Sequence, residues 1–151
     1  MFDLFLGLPV HILVNHLVIV LVPLFALAFI LIVFIEKLRK NYLLITNIGL
    51  GVAVISAFIA KQSGEALSVR VGYPTNHVWW GEKLVIVSAL LFVISLIWYK
   101  IKDKNSLLGR LLGYVGVLLA IASIVVTVLA GHSGASASWG YKIKSTSSSM
   151  E

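Results

Sequence analysis

Four long apolar runs, at about 10–35, 42–60, 78–99 and 107–131, limit what this chain can fold into more than any other feature. Each is too long and too uniformly apolar for a strand or an ordinary amphipathic helix. Within hydrocarbon every backbone N–H and C=O must find a partner inside the protein, so only helices and closed barrels span a bilayer. A barrel would instead show alternating segments of about ten residues. The expected fold class is therefore all-α: an integral membrane four-helix bundle, up-down-up-down. Apolar residues make up 60% of the chain and charged residues 12%, far from soluble averages. The 151 residues leave room for about four helices of roughly 20 residues, hence one transmembrane domain over 1–141. A Ser-rich tail, 142–151, ends KSTSSSME and reads as disordered. Pro23, inside the first run, is expected to kink it. The first charge is Asp3, so no cleavable signal peptide is expected.

The net charge of +6 does not point to nucleic acid, because the cations fall between the apolar runs rather than along one amphipathic face. They report topology. Lys37, Arg39, Lys40, Lys100, Lys102, Lys104 and Arg110 share one side; Lys61, Arg70, Lys83, Lys142 and Lys144 share the other. The side richer in cations is expected to be cytoplasmic, which makes the protein multi-pass with both termini extracytoplasmic.

The chain has no cysteine. Thiolate metal sites, iron–sulfur clusters and covalent c-type haem attachment are thereby excluded, and with Met1 and Met150 as the only methionines thioether carriage of copper(I) is not expected. Nitrogen and oxygen ligands remain. All four histidines, His11, His16, His77 and His132, fall on the side where both termini lie, accompanied by Lys61, Glu65, Arg70, Glu82 and Lys83. Ionisable groups near membrane depth are costly and usually mark a site. His16 sits five residues, about 7.5 Å, deeper than His11 and about 140° from it around the helix, and is expected to have a partner. His11, His77 and His132 can also be read as headgroup-level polar groups in an aromatic belt with Tyr73, Trp79, Trp80, Trp139 and Tyr141. Lys61 and Glu65 are spaced as an i,i+4 pair, and Glu82 falls in the first turns of the third span, where a negative charge is also simply stabilising.

Small residues recur along one face of the last span (Gly109, Gly113, Gly116, Ala120, Ser123, Thr127 and Gly131) and of the second (Gly49, Ala53, Ser56, Ala60 and Ser63). Close helix packing is the simpler reading, a groove for a flat cofactor the other.

The order of these motifs resembles a known family. His11 and His16 with four residues between them, Ser63-Gly64-Glu65, His77 followed by Gly81-Glu82, and Gly131 to Ala135 (GHSGA) before a tryptophan are similar to an uncharacterised family of four-helix bacterial inner-membrane proteins common in actinobacteria. The resemblance covers nearly the whole chain. The family pattern has proline after the first histidine and phenylalanine after the second, where Ile12 and Leu17 stand here. It implies the topology and no particular activity.

Bundle cores are common cofactor sites, and histidine ligation of haem needs no cysteine. The leading expectation is one b-type haem serving electron transfer, with His16 and either His77 or His132 as axial ligands and His11 beside them. The alternative is a non-haem zinc, copper or iron site drawing on His11, His77, His132, Glu65 and Glu82. A third is a non-catalytic accessory subunit, or a homo-oligomer, packed through its glycine stripes against other membrane redox subunits. An independent enzyme is not expected, since no nucleophile triad order or phosphate loop is present.

Overall fold

The computed structural model describes residues 4–148. Four helices account for nearly all of it: α1 (Val10–Phe34), α2 (Glu36–Val71), α3 (Thr75–Lys100) and α4 (Leu107–Ser148), preceded by a short antiparallel hairpin of β1 (Leu4–Phe5) and β2 (Leu8–Pro9). Leu6 and Gly7 form the hairpin turn with positive φ values of 50° and 82°, as a tight turn between two strands favours. The all-α membrane bundle expected from the sequence is what the chain forms.

The exposed surface carries the large apolar side chains, among them Leu17, Leu24, Ile48, Ile55, Val93 and Leu118, while Ala53, Ala57, Ala120, Ser88, Ser95, Ser123 and Thr127 are buried. That inversion of a soluble protein suits a lipid solvent, in which small residues let backbones approach. All four helices are long and apolar enough to cross a membrane.

The helices form a square. α1 packs on α2 and α3 on α4, α1 also meets α4 and α2 meets α3, while α1 and α3 face each other across a diagonal. Both small-residue stripes are buried within it, apart from half-buried Gly131. In the half of the bundle away from the histidines they are filled by aromatic rings. A Cβ on Gly49 would lie 2.1 Å from the Phe25 ring and one on Gly116 2.5 Å from the Phe29 ring. Close packing, not a cofactor groove, explains the stripes there.

Element ends depart from the sequence reading. Ile35 alone separates α1 from α2, so the stretch 36–41, expected as a connector, is the start of α2. α2 runs on to Val71 and α4 to Ser148, well past 60 and 131. Residues 142–148, expected to be disordered, thus continue α4. Nucleating a helix is costly but lengthening one is not, so polar stretches follow a span that is already helical. The rest of the expected tail, 149–151, lies outside the described residues, as do Met1 and Asp3. α1 stays one element through Pro23, whose ring removes the N–H that would bond the Ile19 carbonyl.

Candidate functional site

The start of α1, the C-terminal part of α2, the start of α3 and the C-terminal part of α4 meet at one end of the bundle. They enclose a cavity of about 1140 Å³. Two imidazoles stand in it. His11, from α1, donates through Nδ1–H to the carbonyl of Ala60 on α2 at 2.8 Å, and His77, from α3, to the carbonyl of Ala130 on α4 at 3.1 Å. A carbonyl only accepts, so in both rings the proton of the neutral form is on Nδ1 and the lone pair on Nε2. The two Nε2 atoms face each other at 3.4 Å. With both Nδ1 protons committed to carbonyls, the two Nε2 lone pairs face each other across that distance.

A short motif repeated on α2 and α4 seats the rings. Ala60-x-x-Ser63-Gly64 and Ala130-x-x-Ser133-Gly134 supply the same two functions. The alanine gives the carbonyl, and the glycine leaves room for the ring; Ser133 donates to its alanine carbonyl at 2.9 Å, whereas Ser63 donates chiefly to Ile59 O at 2.8 Å and lies 3.2 Å from Ala60 O. A Cβ on Gly64 would stand 2.9 Å from His11 Nδ1, and one on Gly134 3.0 Å from His77 Cε1. Ser133 Oγ also lies 3.4 Å from His77 Nδ1. Neither motif stood out in the sequence as a histidine seat, although the five-residue repeat is legible there.

The remaining expected site residues are placed otherwise. His16 is exposed at the cavity edge, where its Nδ1 donates to Ile12 O, one turn back in its own helix, at 2.6 Å. It does not meet His77. His132 is exposed, and the cavity is lined by its neighbours Ala130, Gly131 and Gly134 instead. The pair expected from depth, His16 with His77 or His132, is thus replaced by His11 with His77. Glu65 lines the cavity but pairs with Lys61 at 2.6 Å, and Lys61 reaches Glu82 across to α3 at 3.9 Å. No group of three or more histidine and carboxylate ligands converges among the described residues.

Small side chains line the cavity on the other diagonal, Ala57, Ala60 and Gly64 from α2 and Ala130, Gly131 and Gly134 from α4. Buried Val18 and Leu84 stand on the core side of the cavity; Tyr73, Trp139 and Tyr141 are exposed at its rim.

The profile of a family described as a predicted membrane protein (DUF2231) matches residues 7–147, which takes in all four helices and both histidine seats. The chain belongs to this family. No curated protein and no solved structure matches it.

Proposed function

We propose that this DUF2231 protein binds one b-type haem between His11 and His77 and passes electrons at one face of the membrane. The observation that carries the reading is a ligand set of two. Two imidazoles converge with their Nε2 lone pairs opposed and no third protein ligand beside them among the described residues. A bare structural or catalytic zinc takes three or four protein ligands, whereas haem brings its own equatorial nitrogens and asks the protein for axial ligands only. Haem would supply one-electron iron chemistry.

The surroundings support the fit. His11 and His77 would hold the haem from α1 and α3, and the alanines and glycines of α2 and α4 that line the cavity would leave it room. The cation asymmetry of seven against five favours an extracytoplasmic position for the site in a bacterial inner membrane. A single haem at one end cannot carry an electron across, so its partner would be another redox protein on the same face.

One distance favours a second reading. Two ligands of a tetrahedral ion with bonds of about 2.0–2.1 Å are roughly 3.3–3.4 Å apart, which matches the 3.4 Å between the imidazoles. Zinc held this way would need two ligands from solvent or substrate.

Absorption spectra and metal analysis of protein purified from cells supplied with haem precursor and trace metals separate the two. A Soret band lost in His11→Ala and in His77→Ala, and kept in His16→Ala and His132→Ala, is expected. Stoichiometric zinc, copper or non-haem iron without a Soret band, lost in the same two variants, favours the bare ion. Protein carrying neither overturns both and leaves the accessory-subunit role.

A further inference from the structure

The far end of the bundle, where α1 turns into α2 and the connection 101–106 joins α3 to α4, holds a second cavity of about 440 Å³. Its inner neighbour is Trp98, 1% exposed, whose indole N–H donates to Gly109 O at 2.8 Å. Two cations converge on this one ring: the Arg39 guanidinium carbon at 5.8 Å and the Lys104 ammonium at 5.3 Å from its centroid. Both side chains line the cavity, together with Lys40 and Lys102.

Two carboxylates, Glu36 and Asp103, line the cavity as well, and each already has a partner. Glu36 pairs with Lys40 at 2.9 Å, and Asp103 Oδ1 accepts the backbone N–H of Asn105 at 2.8 Å. Among the described residues no ion pair includes Arg39, Lys102 or Lys104. Arg39 donates to Val33 O, at the end of α1, and Lys104 to Tyr99 O and Ile101 O, at the end of α3. These bonds close the helix ends but leave most guanidinium donors free, and the two positive charges stand side by side over the Trp98 ring. Burial, and then the Arg39 charge, lower the pKa of Lys104, as expected of a cation lacking a counter-ion. Beside the cavity the surface is apolar, with Leu44 and Ile48 exposed along α2 and Tyr99 exposed in the lining itself.

We propose that this cavity binds the phosphate of an anionic lipid headgroup, with Arg39 and Lys104 as its cationic contacts and the acyl chains lying along α2. Arginine presents paired N–H donors that match phosphate oxygens, and basic pockets between transmembrane helices suit anionic headgroups. The site is independent of the histidine pair.

The full-length protein in a neutral detergent provides the test, with thermal unfolding followed in the presence of dioctanoyl phosphatidylglycerol, dioctanoyl phosphatidylcholine or inorganic phosphate. Phosphatidylglycerol should raise the unfolding temperature, and the zwitterionic lipid should not. The rise should vanish in Arg39→Gln/Lys104→Gln and persist in Lys61→Gln, whose cation lies at the other end. Because Arg39 and Lys104 also close helix ends, the double variant can fail to fold. Native mass spectrometry of the wild-type protein from mixed-lipid membranes then decides, with phosphatidylglycerol retained in excess of its share of the membrane as the expected result. Equal shifts with both lipids, a shift that survives the double substitution, or retention at the membrane ratio overturns the proposal. A shift of the same size with inorganic phosphate overturns the lipid assignment.

Discussion

Nε2 of His11 lies 3.4 Å from Nε2 of His77, although the two residues are 66 positions apart and sit on helices that otherwise hardly touch. The ring centroids are 5.7 Å apart and the planes nearly perpendicular, at 76°. What fixes this meeting is not contact between α1 and α3 but the carbonyl that each ring finds on its other neighbour, Ala60 O or Ala130 O.

The glycine notches should therefore control the pair. Gly64→Ala and Gly134→Ala each place a Cβ at 3.0 Å or less from an imidazole atom and should destabilise by about 1–3 kcal/mol through overpacking. Gly131→Ala, with nothing within 4 Å, should be neutral or stabilising by up to about 1 kcal/mol from helix propensity. Unfolding in detergent measures all three, and equal effects would remove the notches from the account.

A stronger clash is expected in the other half of the bundle. Gly49→Ala drives a methyl to 2.1 Å from the Phe25 ring, and should cost at least as much as the imidazole notches. Shrinking the ring with Phe25→Leu should recover part of that loss, so the double variant should be more stable than the sum of the single effects predicts. Strict additivity would show that the ring does not occupy the Gly49 notch.

Ser95 Oγ donates to Asn47 Oδ1 at 2.6 Å, and both side chains are buried between α3 and α2. Interhelical hydrogen bonds of this kind average about 0.6 kcal/mol and reach about 1.7 kcal/mol in membrane proteins. Ser95→Ala should fall in that range in a double-mutant cycle with Asn47. A coupling energy of zero would mean that the contact contributes nothing to the fold.

Orientation can be read by labelling, because the protein has no cysteine of its own. A cysteine at Asp103, in the cation-rich connection, should react only from the cytoplasmic side, and one at Tyr73, between α2 and α3, only from outside. The opposite pattern would invert the protein in the membrane.

The apolar runs told where the chain crosses lipid, and α1 ends within a residue of its expected limit, Phe34 against 35. They could not tell which way each helix faces. In a soluble helix the polar stripe marks the outside, but α1 is apolar all round, and the ranking of its histidines by depth had no angle to correct it. The angle decides. His11 continues the buried line Val18, Val22, Ala26 and Phe29, whereas His16 stands among the exposed Ile12, Leu13, Leu17, Ile19 and Val20. In α3 the same line was written in polar letters: His77 precedes Leu84, Ser88, Leu91, Ser95 and Trp98 at steps of seven, four, three, four and three, and all five are buried. Serine in lipid has to face protein, so Ser88 and Ser95 mark the inner face and place His77 on it.

The two seats also say something about how such a site can arise. Each helical hairpin supplies one imidazole, one acceptor carbonyl and one notch, so two identical copies of a single hairpin, related by a two-fold axis along the bundle, would already build the pair on that axis. Holding both halves in one chain frees them to differ wherever the axis does not require sameness. Five residues past the first imidazole stands His16, and five past the second Glu82; after the first Ser-Gly comes Glu65, after the second Ala135. One flank of the pair thus carries Lys61 and Glu65 where the other carries Gly131 and Ala135. A molecule approaching the imidazoles meets two sides that have ceased to be equivalent.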